Sequence, residues 1–142
     1  MKDFCIIGSG IAGSTIANLL SKKYKVEVFD KARGVGGRNS NRRYKKNLSF
    51  DHGAQYISPV STDFKKFIFR LEKKKIIKKW NGNHLNFFFK NKKQNFKFIG
   101  KKGNSDISKY LLKDIKTHTS SKIKKINFKN NFWSVILENK KY

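Results

Sequence analysis

Phe4-Cys5-Ile6-Ile7-Gly8-Ser9-Gly10-Ile11-Ala12-Gly13 sets a short apolar run directly ahead of a G-x-G-x-x-G turn, and Ser14 to Leu20 continues as a helix-compatible stretch. An apolar strand, a glycine turn and a helix in that order are the opening of a βαβ unit. Gly8 permits the tight turn, Gly10 lets backbone approach a pyrophosphate, and Gly13 lets helix and strand pack closely. The helix N-terminus then turns its free N–H groups toward the phosphates. The next apolar run, Val26 to Phe29, ends in Asp30, where this fold places an acid against a ribose hydroxyl. The other reading of the glycines is a turn in a βαβ unit that binds no dinucleotide.

Working outward, Lys31-Ala32-Arg33-Gly34-Val35-Gly36-Gly37-Arg38-Asn39-Ser40-Asn41-Arg42-Arg43 is glycine-rich, polar and cationic, and reads as a loop. Lysine greatly outnumbers arginine along the chain, yet four of the five arginines, Arg33, Arg38, Arg42 and Arg43, fall in this segment; the fifth is Arg70. Arginine is concentrated where a planar fork able to hold a phosphate bidentately is hard to replace by an ammonium. The alternative is a solvated basic loop.

The succession G-S-G-I-A-G, V-F-D-K-A-R-G-V-G-G-R and F-D-H-G-A-Q-Y (Phe50 to Tyr56) resembles the start of the FAD-dependent amine-oxidase superfamily, most closely its renalase-like bacterial branch. The resemblance covers Met1 to Tyr56. It implies that FAD is held by Gly8, Gly10, Ile11, Ala12 and Gly13 at the pyrophosphate, by Asp30 and Lys31 at the adenosine ribose, and by Gly36, Gly37 and Arg38 over the phosphates and flavin side. Gly53 and Ala54 would run beside the isoalloxazine ring. His52, Gln55 and Tyr56 are the candidates nearest flavin and substrate, with a structural role in the turn as the alternative for His52. The chain departs from these relatives at Asn39 and Asn41, where they tend to carry Met and Thr, and at Gly103-Asn104, where they carry Gly-Met.

Further along only a rhythm remains. Phe96 to Gly100 suggests an aromatic strand, and Ser105 to Leu112 a short helix. Ser121 to Phe128, a turn at Lys129-Asn130-Asn131, and Phe132 to Glu138 suggest an antiparallel hairpin. By resemblance Ile123 offers its backbone to the adenine; by its alternation it is equally ordinary core. Ser61-Thr62-Asp63 caps a helix whose Phe64, Phe67, Ile68 and Leu71 form a core-facing stripe. Lys73 to Gln94, with Trp80 and Phe87-Phe88-Phe89, suggests short strands, which by the resemblance would cover the flavin; the alternative is an apolar interface filled by the missing half.

The expected fold class is α/β: a Rossmann-like βαβ unit over 1–56, the start of an α+β substrate-binding region over 57–104, and a helix and hairpin returning to the FAD-binding domain over 105–142. Relatives are considerably longer, so the chain reads as the N-terminal part of a flavoenzyme, with a missing C-terminal half as its complement. Its core, two adjacent strands and a hairpin, is thin.

The formal charge of +25, from 34 Lys and Arg against nine Asp and Glu, by itself suggests a polyanion partner. The excess is almost all lysine, spread over the whole length with abundant Asn, Ile and Phe, as an A+T-rich coding bias produces, and no nucleic-acid-binding motif accompanies it. Cys5, the single cysteine, reads as a small buried hydrophobe. His52, His84 and His118 lack metal-ligand spacing, so no metal is expected. The uncharged run Phe4 to Leu20 is too short to span a membrane, and Asp3 spoils a basic signal-peptide start, so a cytoplasmic location without a membrane partner is expected.

Three readings stand. The first is an FAD-dependent oxidoreductase that takes hydride from a dihydronicotinamide or an amine and passes it to O₂. The second is a noncatalytic FAD- or NAD-binding remnant, and the third a basic nucleic-acid-binding protein.

Overall fold

The computed structural model describes residues 1–46, 48–81 and 96–138. His84, Phe87-Phe88-Phe89 and the tail from 139 to 142 lie outside the described residues. The apolar runs form strands with the bounds the sequence suggests, β1 over Phe4–Ile7 and β2 over Val26–Phe29, joined through helix α1 over Ile11–Leu20. The two strands pair in parallel, Phe4 opposite Val26 and Ile7 opposite Phe29. The fold class is therefore α/β, with a parallel strand-helix-strand unit of Rossmann type at its N-terminal end.

The sheet is wider than the sequence indicates. After the glycine loop, which closes in a single 3₁₀ turn over Gly37–Asn39, come β3 (Asn41–Lys45), β4 (Leu48–Asp51), α2 (Thr62–Lys73), β5 (Ile77–Lys79), β6 (Phe98–Gly100), α3 (Asp106–Leu111), β7 (Lys116–His118), β8 (Ile123–Lys129) and β9 (Phe132–Leu137). Strand β7 pairs in parallel with β2, giving the order β1-β2-β7. Lys116-Thr117-His118 carries no apolar alternation; the neighbouring strand imposes the extended state. Arg42 and Arg43 also depart from expectation. They lie in β3, paired antiparallel with β4, where a continuous loop was expected.

Two cores flank the site. Ala17 of α1 packs on Val26 and Val28 of β2, together with Leu112 and Ile115. The second core gathers Ile57, Ile68, Leu71, Ile77, Phe98, Ile107 and Leu111. Helix α3 belongs to both: Ile107 and Leu111 face the second core, and Leu112 just beyond its end faces the first. Ile57 exchanges backbone hydrogen bonds with Phe98 at 2.8 and 2.9 Å.

Helix α2 starts where the capping signal places it, with Ser61 Oγ accepting from the Phe64 N–H at 3.4 Å. Ile68 and Leu71 are buried and Phe67 is half-buried, but Phe64 is exposed and not part of the core, since the stripe turns out of the interface at the first turn. Cys5 is exposed and not buried, because no described strand lies on the side of β1 away from β2. The β8–β9 hairpin turns at Asn130 and Asn131, both at positive φ (51° and 61°), the twist that two-residue hairpin loops favour. Its paired residues Ile126 and Val135, and Phe128 and Trp133, share one apolar face.

Candidate functional site

At the C-terminal ends of β1 and β2 three loops meet: Gly8–Gly13, Gly36–Arg38 and Asp51–Ala54. Gly10 pairs with Gly36 as an isolated parallel bridge, and the Gly36 N–H donates to the Ser9 carbonyl at 3.0 Å. A Cβ on Gly37 would lie 3.0 Å from Gly10 Cα, and both Gly36 and Gly37 have positive φ (123° and 55°). Glycine is therefore required here twice over, by conformation and by contact between two main chains. From the other side the Ala54 N–H donates to the Arg38 carbonyl at 2.8 Å, and a Cβ on Gly53 would lie 2.8 Å from the Arg38 carbonyl carbon.

Helix α1 begins beside this junction. Its N-cap, Gly10, has extended backbone and offers no side-chain acceptor, and its first turn holds no acid. The first N–H groups of a helix have no partner within it, so Ile11, Ala12 and Gly13 leave a positive pole facing the glycines. Ile11 packs against the second core and Ala12 is exposed. The Arg38 side chain is exposed and makes no hydrogen bond or ion pair among the described residues.

Asp30 is buried at the end of β2. One carboxylate oxygen accepts from the Ser9 N–H at 2.7 Å and from the Ser9 hydroxyl, and the other accepts from the Ala32 N–H at 2.8 Å. Burial pushes its pKa up. The hydrogen bonds from Ser9 and Ala32 and the charge of Lys31 outweigh that and hold the group below the usual aspartate value. A carboxylate has about four acceptor positions; three are taken by the protein, leaving one. The Ser121 N–H donates to the Asp30 carbonyl and the Ser120 N–H to that of Ala32, both at 2.7 Å, so the strand carrying half-buried Ile123 starts beside this acid. Lys31 is exposed.

The loop of Asp51–Ala54 is held by a residue type that the sequence presents only as a departure. Asn104 is fully buried; its Oδ1 accepts from the Gly100 N–H at 2.8 Å, and its Nδ2 donates to the Ala54 carbonyl at 2.6 Å. Its own N–H donates to Asp51 Oδ1 at 2.9 Å, which also accepts from Asn41 Nδ2 at 3.1 Å. Ser9, Asp51 and Asn104 are thus structural members of the site that motif reading passes over. Their signal was small polar residues within two positions of a glycine. His52 is exposed, its Nε2 3.2 Å from Ser40 Oγ. Gln55 is exposed. Tyr56 packs against Trp80, ring centroids 5.7 Å apart, with the Lys97 ammonium 4.3 Å from the centre of the tyrosine ring. The structure thus brings the three glycine loops together, with His52 inside the third of them and its ring against Ser40, and leaves Gln55 and Tyr56 on the chain leading away.

Among the described residues no group of three or more His, Cys, Asp or Glu side chains could hold a metal ion, and no helix is long and apolar enough to cross a membrane. Residues 6–71 match the family model of the NAD(P)-binding Rossmann-like domain. The matched span takes in the glycine turn, Asp30, the Gly36-Gly37-Arg38 loop and the Asp51–Ala54 loop. Sequence comparison and geometry agree on a Rossmann-like dinucleotide-binding unit of the kind found in oxidoreductases.

Proposed function

We propose that the chain is the FAD-binding part of an oxidoreductase of the amine-oxidase type, renalase-like in its motifs, acting on a small reduced nitrogen compound in the cytoplasm. One observation carries the choice of FAD: the Gly36-Gly37-Arg38 loop lies on the glycine turn by main-chain contact, so a second phosphate-facing element with an unpaired guanidinium stands beside the α1 N-terminus. A lone glycine turn serves any dinucleotide. The added loop suits a cofactor whose pyrophosphate continues into a flavin.

In this reading Gly8 to Gly13 and Arg38 hold the pyrophosphate, the remaining acceptor position of Asp30 takes one ribose hydroxyl, and the start of β8 at Ile123 bounds the adenine. Gly53 and Ala54 let main chain lie along the isoalloxazine, and His52, Gln55 and Tyr56 border the substrate. A bound flavin supplies the acceptance of hydride and its return to O₂. The protein's share is to bind, orient and exclude water. Asp30 fits this role because its carboxyl stays charged, and Ser9 fixes its direction.

The test is uptake of FAD against NAD by the purified chain, followed by absorbance. FAD uptake in preference to NAD is expected; tight NAD binding without flavin uptake overturns the proposal. Arg38→Lys should weaken FAD binding by roughly 1.5–3 kcal/mol through loss of a bidentate charged contact, and exposed Arg70→Lys should leave it unchanged. Equal effects would mean a solvated basic loop. Substrate-dependent peroxide formation, with dihydronicotinamide isomers and amines offered in turn, separates an enzyme from a nucleotide holder.

A further inference from the structure

Asp30 is gripped unevenly, and Ser9 is the reason. Oδ2 accepts twice, from the Ser9 N–H at 2.7 Å and from the Ser9 hydroxyl, whereas Oδ1 accepts once, from the Ala32 N–H at 2.8 Å. Each carboxylate oxygen has about two acceptor positions. Oδ2 is therefore full, and the position left open on the group belongs to Oδ1.

Ser9 is itself held from behind. It is fully buried, and its carbonyl accepts from the Ser14 hydroxyl at 2.9 Å and from the Gly36 N–H at 3.0 Å. Ser14 is fully buried on α1, and Gly36 belongs to the second glycine loop. The N–H, the carbonyl and the hydroxyl of one small residue are thus all committed. A main-chain N–H would reach Oδ2 from any residue at this position. Only the hydroxyl closes the second acceptor place on that oxygen.

A ribose offers two neighbouring hydroxyls, and a carboxylate with one open place on each oxygen can accept from both. Here it can accept from one. We propose that Ser9 is a specificity-determining residue, whose hydroxyl restricts Asp30 to a single ribose hydroxyl, so that the site tells the two deoxyribose forms of an adenosine diphosphate ligand apart. The inference rests on the dinucleotide-binding reading of this site and deepens it, since a glycine turn and an acid alone do not rank the two hydroxyls.

ADP, 2′-deoxy-ADP and 3′-deoxy-ADP carry the half that FAD and NAD share, and each is titrated calorimetrically into the intact chain, Ser9→Ala and Ser14→Ala. In the parent one deoxy form is expected to bind about tenfold or more weakly than ADP, having lost a hydrogen bond to a charged group, and the other within about twofold of ADP. In Ser9→Ala, where Oδ2 regains an open place, both deoxy forms should bind more weakly than ADP, each by about fivefold or more. Ser14→Ala loosens Ser9 without freeing Asp30 and should keep the parent's ranking. If Ser9 only packs, Ser9→Ala lowers all three affinities together and keeps that ranking, which overturns the proposal; equal losses from the two deoxy forms in the parent do the same. Ser9→Gly repeats the measurement should Ser9→Ala fail to fold. Without ligand, the Asp30 carboxyl resonance should titrate at higher pH in Ser9→Ala, because a hydrogen bond favouring the charged form is gone; an unmoved titration overturns the proposal whatever binds. A chain that prefers NAD to FAD would show the same ranking, so failure of the cofactor choice is read separately, and failure of every ADP form to bind overturns both.

Discussion

Gly53→Ala tests whether the three loops form one object. The new Cβ would sit 2.8 Å from the Arg38 carbonyl carbon and closer still to its oxygen. That is about 1 Å inside the ordinary carbon–carbon separation of roughly 3.5–4.0 Å. Neither partner is the far end of a flexible side chain, so relief requires moving main chain. The loop cannot move alone, because Ala54 is bonded on one side to Arg38 and on the other to buried Asn104. Overpacking costs about 1–3 kcal/mol, and loss of the Ala54–Arg38 hydrogen bond adds about 1 kcal/mol, giving about 2–4 kcal/mol in all. Gly34→Ala is the control: nothing lies within 4 Å of its Cβ and its φ is unstrained, so a gain of about 0.4–1 kcal/mol is expected from a stiffer unfolded chain. Urea unfolding followed by tryptophan fluorescence reads both, and flavin titration reads the site. If both variants unfold at the same denaturant concentration, or Gly53→Ala takes up FAD like the parent, the loops are not mechanically joined and the argument fails.

Asn104→Ala should destabilise by about 2–6 kcal/mol, because the buried Gly100 N–H and the part-buried Ala54 carbonyl are left without partners at about 1–3 kcal/mol each; an unchanged urea midpoint would refute this. Asp30 has a pKa lowered by folding, so the stability it contributes is present above the unfolded value of about 3.9 and is lost as pH falls through the lower folded one. Asp30→Asn should therefore flatten the acid limb of a stability-against-pH curve, and a limb as steep as the parent's would show that Asp30 does not titrate as described.

How much of this was legible beforehand depends on whether a residue's state is set locally. Strands β1 and β2 were legible to the residue, because Asp3 and Gly8, and Lys25 and Asp30, bound two short and mainly apolar runs. The α2 cap and the hairpin turn at Asn130-Asn131 were legible for the same reason: capping and positive φ are properties of a few adjacent residues. Strand β7 was not, since Lys116, Thr117 and His118 become extended only by pairing with β2. Cys5 misled because apolar composition says that a strand prefers to be covered, and cannot say which side of it is open. At the site the glycine clusters were legible as close-approach elements, but their mutual contact was not. Asn104 shows why: its partners Gly100, Ala54 and Asp51 span half a hundred positions of chain, and only the folded backbone brings them into register.

The joining of the three loops is made almost entirely of main-chain atoms and missing side chains. Ser9, Gly10, Gly36, Gly37, Arg38 and Ala54 take part through N–H, C=O or Cα. Such a junction is indifferent to what most of the surrounding surface is made of. The many lysines that give the chain its charge are spread along its length, whereas the junction depends on a handful of glycines and on the small polar residues Ser9, Asp51 and Asn104. A strongly biased composition and a sharply specified junction therefore coexist in one short polypeptide.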